Sequence, residues 1–283
     1  MVEPCPQPLL ETLPGEQLEQ LHTLRCLIRS QARVLVAYSG GVDSTLVAAI
    51  SLEQLGAAAI AVTGVSPSLA PHLRQEASWQ AQWLGIRHRE LATPEQHDPR
   101  YAVNAPDRCY YCKSALHELL RQCAAEAGGA RVLDGVNLDD IGDHRPGLRA
   151  AAEWQVLSPL RECGINKQAV RHISRGLGFP WWDKPAQPCL ASRFPYGEPI
   201  TAPRLERVAR AERWLQQRGY PRVRVRSQGD TARIELPEAT IDAFLQALDR
   251  RQLVASFLAM GFTAVSLDLE GLVSGKLNRS LQA

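Results

Sequence analysis

Residues 39–44 read Ser-Gly-Gly-Val-Asp-Ser, and this short stretch constrains the fold more than any other part of the chain. The apolar run at 34–37 predicts a buried strand before it, and the apolar residues at 45–49 predict a helix directly after it. Glycines let the backbone approach an anion closely, and the N–H groups of a first helical turn point toward it. The sequence therefore predicts a strand–turn–helix unit in which phosphates bind to Ser39, Gly40, Gly41, Val42, Asp43 and Ser44.

The pattern SGGxDS in this stretch resembles the signature of the PP-loop ATP pyrophosphatases. It differs from the Walker A pattern because no Gly-Lys-Ser/Thr follows the two glycines. The resemblance implies that the chain uses ATP to adenylylate an oxygen atom and releases pyrophosphate. On the residues alone, the alternative is an ordinary strand-to-helix turn that contains two glycines.

Predicted strands and helices alternate along the first half of the chain, which favours an α/β fold with a doubly wound parallel sheet. Ligands bind at the carboxyl ends of such strands. The predicted ATP loop, residues 39–44, and the stretch from Gly135 to Asp140 both follow strands. Both are therefore expected at the carboxyl edge of the sheet. After residue 200 the pattern changes to a smaller α+β unit. We therefore expect a nucleotide-binding domain over 1–200 and a substrate-binding or oligomerisation domain over 201–283.

The charge and composition of the chain limit the kinds of partner and the cellular location that we expect. A net charge of +2 over 283 residues gives no general attraction to nucleic acid, so an anion site must be local. Because no apolar run reaches about 18 residues, a membrane-spanning helix is not expected. The N-terminus does not read as a secretory signal, so the expected location is the cytoplasm. In that reducing compartment the seven cysteines act as thiols, metal ligands or catalysts rather than bridges.

Five blocks, in order along most of the chain, make it similar to the LarE family of sulfur-inserting enzymes. They are SGGVDS at 39–44, GVNLDDIGDHRPGLRAA at 135–151, WDKPAQPCLASRFPYG at 182–197, RVRVRSQGDTARIEL at 222–236 and SLDLEGLVSGKLN at 266–278. The resemblance implies a role in making the nickel-pincer nucleotide cofactor of lactate racemase. It also implies a homo-oligomer, since relatives of this type are hexamers.

The chemistry implied by this resemblance has two stages. ATP with Mg²⁺ adenylylates a carboxylate of pyridinium-3,5-biscarboxylic acid mononucleotide. A sulfur nucleophile then displaces AMP and leaves a thiocarboxylate. In some family members the nucleophile is a cysteine that aligns with Cys189, which becomes a thioester and ends as dehydroalanine. Lys184 and Arg193 lie near it in sequence, and positive charges favour a reactive thiolate.

A second cysteine feature is the pair Cys109 and Cys112, a CxxC motif. Such a motif in a cytosolic chain is typical of redox or metal sites. With Cys189 the pair would provide three thiolates for a 4Fe–4S cluster with one open iron, as some LarE relatives are thought to do. A disulfide or persulfide shared with Cys189 and two incidental thiols remain alternatives. The other four cysteines are expected to be structural; they are Cys5, Cys26, Cys123 and Cys163.

Polar side chains near the two predicted strand ends are candidates for nucleotide and cation binding. Asp43 in the loop is expected to position the Mg²⁺ ion, with an N-cap at the helix start as the alternative. Gly135 and Asn137 are expected to contact the nucleotide. Asn137, Asp139 and Asp140 could equally form a capped turn, because Asn and Asp favour such positions.

Arginines alternate at positions 222, 224 and 226 of a predicted strand, so their side chains are expected on one face. Guanidinium groups suit phosphate oxygens, and the resemblance implies that Arg224 and Arg226 bind the phosphate of the substrate. Ser192 and Arg193 are then expected near the reacting end, with Glu212 and Glu235 as lesser candidates. The alternative is a solvated strand face.

Two other functions fit parts of the sequence. A PP-loop tRNA thiolase also combines an ATP loop with cysteines, but the near-neutral charge and the absence of an evident basic domain disfavour tRNA. A non-catalytic module that binds a nucleotide or a cluster is the second. Pyrophosphate release that depends on the mononucleotide substrate distinguishes an enzyme from such a module.

Overall fold

The computed structural model describes residues 9–142, 146–273 and 275–281. The chain packs into two compact units. The first contains the chain up to Ser66 together with Pro71–Glu95 and Cys109–Gln187, and the second contains Pro67–Ala70, Gln96–Arg108 and the chain from Pro188 onward. The division into domains at residue 200 stays a prediction, because packing alone does not identify which part folds or acts by itself.

The described residues form eleven α-helices and seven β-strands. The strands are β1 (Val34–Ala37), β2 (Ala59–Val65), β3 (Arg87–Ala92), β4 (Arg131–Leu133), β5 (Arg224–Gln228), β6 (Thr231–Glu235) and β7 (Ala264–Leu267). The helices are α1 (Gly15–Arg29), α2 (Val42–Leu55), α3 (Pro71–Leu84), α4 (Pro99–Ala102), α5 (Arg108–Glu126), α6 (Pro146–Glu153), α7 (Pro159–Glu162), α8 (Lys167–Gly176), α9 (Ala202–Gln216), α10 (Ile241–Ala247) and α11 (Arg250–Ala259). None of them is long and apolar enough to cross a membrane within these ranges.

The first unit is organised around a four-stranded parallel sheet of order β3-β2-β1-β4. Residues alternate between its two faces, and both faces are buried. Val34 and Val36 belong to a core shared with α1, α2 and α8, whereas Leu35 packs with Leu120 and Ala124 of α5 on the other side. A strand buried on both faces has to be apolar throughout, as β1 is. The predicted α/β fold with a doubly wound parallel sheet is confirmed.

The second unit contains a smaller mixed sheet of order β5-β6-β7. β5 and β6 are antiparallel and joined by a tight turn, while β6 and β7 are parallel. Helix α9 buries one face, including Leu205, Val208 and Leu215, in this unit. β5 begins at Arg224, so the prediction that Arg222 belongs to the same strand is wrong; Arg222 is exposed and precedes it.

Candidate functional site

The predicted ATP loop joins β1 to α2 without a side-chain cap on the helix. Gly41 is the N-cap residue of α2, in extended conformation, and as a glycine it has no side chain to cap the helix. Gly40 has φ +69°, and a Cβ there would lie 3.0 Å from the Cα atom of Ala77 in α3. Both the left-handed backbone and the close approach of α3 therefore require glycine. The loop leaves the positive end of α2 open to an anion.

Two serine hydroxyls hold the ends of this loop together. The Ser39 amide donates to Oγ of Ser44 at 3.2 Å, and the two hydroxyl oxygens are 3.1 Å apart. Ser44 Oγ also donates to the carbonyl of Gly41 at 3.1 Å. The Gly41 amide donates to Oγ of Ser39 at 3.3 Å. The serines thus define the shape of the loop, and the N–H groups at the start of α2 are its candidate anion donors.

Asp43 is the second residue of α2 rather than its N-cap, so its side chain is directed elsewhere. Its Oδ1 atom accepts a hydrogen bond of 2.8 Å from Nδ2 of Asn137. Burial raises the pKa of Asp43, the Asn137 hydrogen bond opposes this, and the nearby Asp140 carboxylate raises it further. A cation bound here would offset that cost of ionisation, so Asp43 and Asn137 suit a Mg²⁺-nucleotide.

The segment after β4 approaches α2 very closely. A Cβ on Gly135 would lie 2.7 Å from the amide nitrogen of Ser44, so only glycine fits. The Asp139 amide donates to Asn137 Oδ1 at 3.0 Å, and the Asn137 amide donates to Asp140 Oδ2 at 3.1 Å. The segment is therefore a capped turn, and it also presents Asn137 to Asp43. The capped turn expected from the sequence is therefore present, while nucleotide or cation binding by these residues stays a prediction.

Lys184 contacts the ATP loop, a role that the sequence did not suggest. Its Nζ atom donates to the carbonyl of Gly40 at 3.1 Å and lies 2.9 Å from Oε2 of Glu76. The ammonium group that was expected to act on Cys189 is thus used within the first unit. Sequence spacing could not have linked Lys184 to the loop, because 144 residues separate Lys184 from Gly40.

The CxxC cysteines lie at the start of α5. The sequence pattern predicts this helix only from Ser114 to Glu126, but it begins at Arg108. Cys109 is exposed and Cys112 is half-buried, and a spacing of three places them on one helix face. Cys189 belongs to the other compact unit. Within the described ranges, no three His, Cys, Asp or Glu side chains are grouped as metal ligands. The iron–sulfur cluster stays a prediction.

The remaining cysteines differ in exposure. Cys26 is exposed, while Cys123 and Cys163 are half-buried. Burial, followed by the charge of Glu162, raises the pKa of Cys163 to about 11, which makes its thiolate scarce. Cys5 lies outside the described residues.

Cys189 stands on a backbone that is fixed at several points while its side chain is exposed. It precedes a single 3₁₀ turn, Leu190–Arg193. Its carbonyl oxygen accepts bonds from the amide of Ser192 at 3.0 Å and from Oγ of Ser192 at 2.8 Å. The Leu190 amide donates to the carbonyl of Ser68 at 2.8 Å, and the Leu190 side chain is buried. The loop therefore presents an accessible thiol from a held backbone.

Arg193 anchors this loop through a buried ion pair with Glu212 of α9. Nε of Arg193 lies 2.8 Å from Oε1 of Glu212, and Nη2 lies 3.1 Å from Oε2. Nη1 donates to the carbonyls of Pro188 and Cys189 at 2.9 and 3.3 Å. Burial opposes the charge, but Glu212 more than offsets it, so the pKa of Arg193 is raised. Nη1 of Arg193 also donates to Oγ of Ser192 at 2.9 Å. The guanidinium therefore positions residues 188–193, which we call the Cys189 loop.

Arg224 and Arg226 of β5 differ in their partners. Arg226 is buried against Glu235 of β6, with Nε 2.9 Å from Oε2, and donates to the carbonyl of Ser192 at 2.6 Å. Arg224 is partly buried, and its guanidinium group has no hydrogen bond or ion pair within the described part of the chain. Burial and then the charges of Arg193 and Arg226 lower the pKa of Arg224. An unpaired guanidinium beside two others is suited to a phosphate.

Comparisons with known proteins give relatives over nearly the whole chain. No protein-family model matches it. It is 53% identical over 262 residues to an uncharacterized protein of Synechocystis sp., covering 93% of this chain and 98% of the relative. It is 40% identical over 262 residues to the pyridinium-3,5-bisthiocarboxylic acid mononucleotide synthase of Lactiplantibacillus plantarum, covering 92% and 94%. An uncharacterized protein of Methanocaldococcus jannaschii is 26% identical over 238 residues, covering 84% and 90%.

Proposed function

The chain belongs to the LarE family, the family of the L. plantarum synthase, and is therefore an enzyme; from this premise we propose that it is an ATP-dependent sulfur transferase. It adenylylates a carboxylate of pyridinium-3,5-biscarboxylic acid mononucleotide and converts that carboxylate into a thiocarboxylate. This reaction is a step in the synthesis of a nickel-pincer nucleotide cofactor.

The observation that carries this proposal is the combination of Cys189 and Arg224 in the second unit. The exposed thiol sits on a loop fixed by Arg193, and the unpaired Arg224 guanidinium is electrostatically coupled to Arg193. A sulfur nucleophile and a phosphate-binding cation held by one network are what a nucleotide-like sulfur acceptor requires. A simple ATP-binding module would need neither.

The activating step uses the first unit. The open N-terminus of α2 and the Gly40–Gly41 turn hold the phosphates that leave as pyrophosphate. Asp43 and Asn137 would hold the divalent cation, which would balance the charge of the phosphates. An oxygen of the substrate carboxylate attacks the α-phosphorus of ATP, pyrophosphate leaves, and the carboxylate becomes an acyl adenylate with AMP as its leaving group. Lys184, bonded to the Gly40 carbonyl, keeps the loop in shape.

The sulfur step uses Cys189. Its thiolate attacks the acyl carbon, and AMP leaves with the electron pair of the broken C–O bond. Loss of the Cα proton of Cys189 then breaks its Cβ–S bond, so the sulfur stays on the product as a thiocarboxylate. Residue 189 is left as dehydroalanine, and each active site reacts once. Arg193 and Ser192 hold the carbonyl of residue 189 throughout, which keeps the loop in place while its side chain changes.

Arg224 binds the phosphate of the mononucleotide substrate. A dianionic phosphate relieves the repulsion between Arg224 and its neighbours Arg193 and Arg226, both of which already have a carboxylate partner. The interaction is charge-assisted, and guanidinium can use two donors at once. Arg226 mainly supports the loop through Ser192 and contributes its charge.

Substrate-dependent pyrophosphate release together with intact-mass spectrometry of the protein tests this function. We expect pyrophosphate and AMP only when ATP, Mg²⁺ and the pyridinium mononucleotide are all present, and a chain lighter by one hydrogen sulfide after reaction. ATP binding with no AMP formed in the presence of substrate would rule the enzyme out.

The cluster route gives a different result in the same experiment. There, the chain mass stays unchanged after several turnovers, anaerobically prepared protein contains iron, and Cys109→Ser loses both iron and product. No step above depends on a cluster, so an iron-free protein that becomes lighter on turnover supports the sacrificial route alone.

A further inference from the structure

A cavity lies in the first unit, away from the ATP loop. It has a volume of about 270 Å³ and is lined by α5, by the start of β4 and by the residues that follow α6. Arg131, the first residue of β4, is part of its wall, whereas Gly135 and the ATP loop lie beyond the other end of that strand. The activation and sulfur-transfer steps use none of its residues.

His117 of α5 provides a buried polar group in this wall. It is only 3% exposed, and its Nδ1 atom has no hydrogen-bond partner within the described part of the chain. Burial, followed by the charge of Lys113, lowers the pKa of His117 to about 4, so the ring is neutral near pH 7. A neutral imidazole has one N–H donor and one acceptor. A polar ring in the wall of a cavity makes its NMR signal a local reporter of any anion that binds there.

Two arginines at the same cavity also have no acidic partner within the described ranges. Arg121 lies over the ring of Trp154, with its Cζ atom 5.8 Å from the ring centre, and Arg131 is exposed. Glu153 is the acid in the wall, but it accepts a bond from the hydroxyl of Tyr110 at 2.5 Å and lies 3.7 Å from Arg149. The cavity therefore keeps two positive charges that no neighbouring carboxylate balances.

We propose that this cavity binds a small organic anion, whose carboxylate or phosphate group pairs with Arg121 and Arg131 beside the ring of His117. The volume suits a compact metabolite rather than a dinucleotide. Trp154, which already carries Arg121 on its face, provides an apolar wall for the carbon skeleton of the ligand. The site is independent of the proposed sulfur transfer, since it shares no residue with it.

The local test is nuclear magnetic resonance of protein whose histidine rings are labelled with ¹³C. The His117 signal is assigned from its absence in His117→Gln. Inorganic phosphate and succinate are added in separate titrations at constant pH and ionic strength. We expect a saturable shift of the His117 signal with at least one of them; the phosphate arm identifies a phosphorylated ligand, and the succinate arm identifies a carboxylate.

Charge-matched variants show whether the arginines hold the ligand. Arg121→Gln with Arg131→Gln should weaken the apparent affinity by about tenfold or more, because two charge-assisted bonds are lost. Arg87→Gln with Arg89→Gln removes the same charge from exposed positions of β3 and should leave the affinity unchanged. A His117 signal that neither probe moves, or one that responds alike in both double variants, overturns the proposal. Phosphate bound at the ATP loop would not move that signal.

Discussion

The ATP loop and the Cys189 loop both have a fixed shape, but different kinds of interaction stabilise them. The ATP loop is made of backbone: two glycines, an uncapped helix start and two serines that bond to the loop itself. The Cys189 loop is held by buried charge, through Arg193 with Glu212 and Arg226 with Glu235. The N–H groups at the start of α2 remain available to a ligand, whereas the paired charges already have partners and serve to position the Cys189 loop. The two loops should therefore respond differently to substitution.

The largest loss of stability is expected from Arg193→Met. The substitution leaves Glu212 buried without its cation, since the Glu212 side chain is only 3% exposed. Breaking a buried pair from one side costs about 3–5 kcal/mol. The free energy of unfolding, measured by urea denaturation, should fall by that amount, and thiocarboxylate formation should fall with it because the Cys189 carbonyl loses its anchor.

Two further variants show that the loss arises from the buried charge. Arg193→Met with Glu212→Gln should recover much of the stability, because no charge is then left unpaired and the new glutamine amide can still accept from the Val225 amide. Arg74→Met breaks a similar two-point pair with Glu90 at the surface and should change stability little. Equal losses in Arg193→Met and Arg74→Met would contradict the role assigned to buried charge.

The next largest effect is expected in the backbone-built loop, from Gly135→Ala. The new methyl group would lie 2.7 Å from the Ser44 amide nitrogen and would push the helix start away. Overpacking of this kind costs about 1–3 kcal/mol. Activity should suffer more than stability, with AMP formation lost, since the Ser44 amide belongs to the anion site.

Gly15→Ala is the matched control, because a Cβ at Gly15 meets nothing within 4 Å. Its melting temperature and AMP formation should equal those of the unsubstituted chain. If Gly135→Ala also keeps its AMP formation, the close approach of the two backbones is not needed for activation.

The same contrast explains how much of the molecule could be predicted from its sequence. The ATP loop is continuous, so its strand, glycines and helix are visible as one motif, and they are confirmed. The parallel sheet followed from the alternation of apolar runs. The sequence pattern does not predict the start of α5 at Arg108, because Tyr110 and Tyr111 are poor helix formers.

The supports of Cys189 could not be predicted in the same way. Glu212 lies 19 residues after Arg193, on a different element, and nothing in the local pattern pairs them. The three arginines near β5 are equivalent in the sequence pattern. In the structure Arg222 precedes the strand and is exposed, Arg226 is paired with Glu235, and Arg224 is partly buried with no side-chain partner in the described chain. Alternation gives the face on which a side chain lies but does not identify its partner.

A smaller effect, of opposite sign, is expected from Asp43→Asn. Burial raises the pKa of Asp43 above its ordinary value of 3.8, so the folded chain keeps this proton to higher pH than the unfolded chain does. Because the unfolded state then binds fewer protons, Asp43 makes stability fall as pH rises through that window. Asp43→Asn removes the cost of ionising a buried carboxyl group. Compared with the unsubstituted chain, the variant should melt at a higher temperature at neutral pH and at a similar temperature below pH 3.8.

The same variant should fail to form AMP, because an amide cannot neutralise the cation bound with the phosphates. Melting curves over a pH series and an AMP assay with and without Mg²⁺ measure both effects. An Asp43→Asn variant that is less stable at neutral pH would mean that Asp43 is ionised and satisfied without a ligand. An active variant would remove Asp43 from the cation site.

The smallest effect on stability, and a complete one on the product, is expected from Cys189→Ala. The side chain is exposed, so unfolding free energy should change by less than about 0.5 kcal/mol. Pyrophosphate release should continue, since activation depends on the first unit, but no thiocarboxylate should form and the chain mass should stay constant.

Cys26→Ala, at another exposed cysteine, should keep the whole reaction. Thiocarboxylate formed by Cys189→Ala would mean that the sulfur comes from another donor. Normal thiocarboxylate formation by Cys109→Ala, with none by Cys189→Ala, would assign the sulfur to Cys189 alone. Arg193 and Glu212 would then act by positioning one thiol that is consumed once.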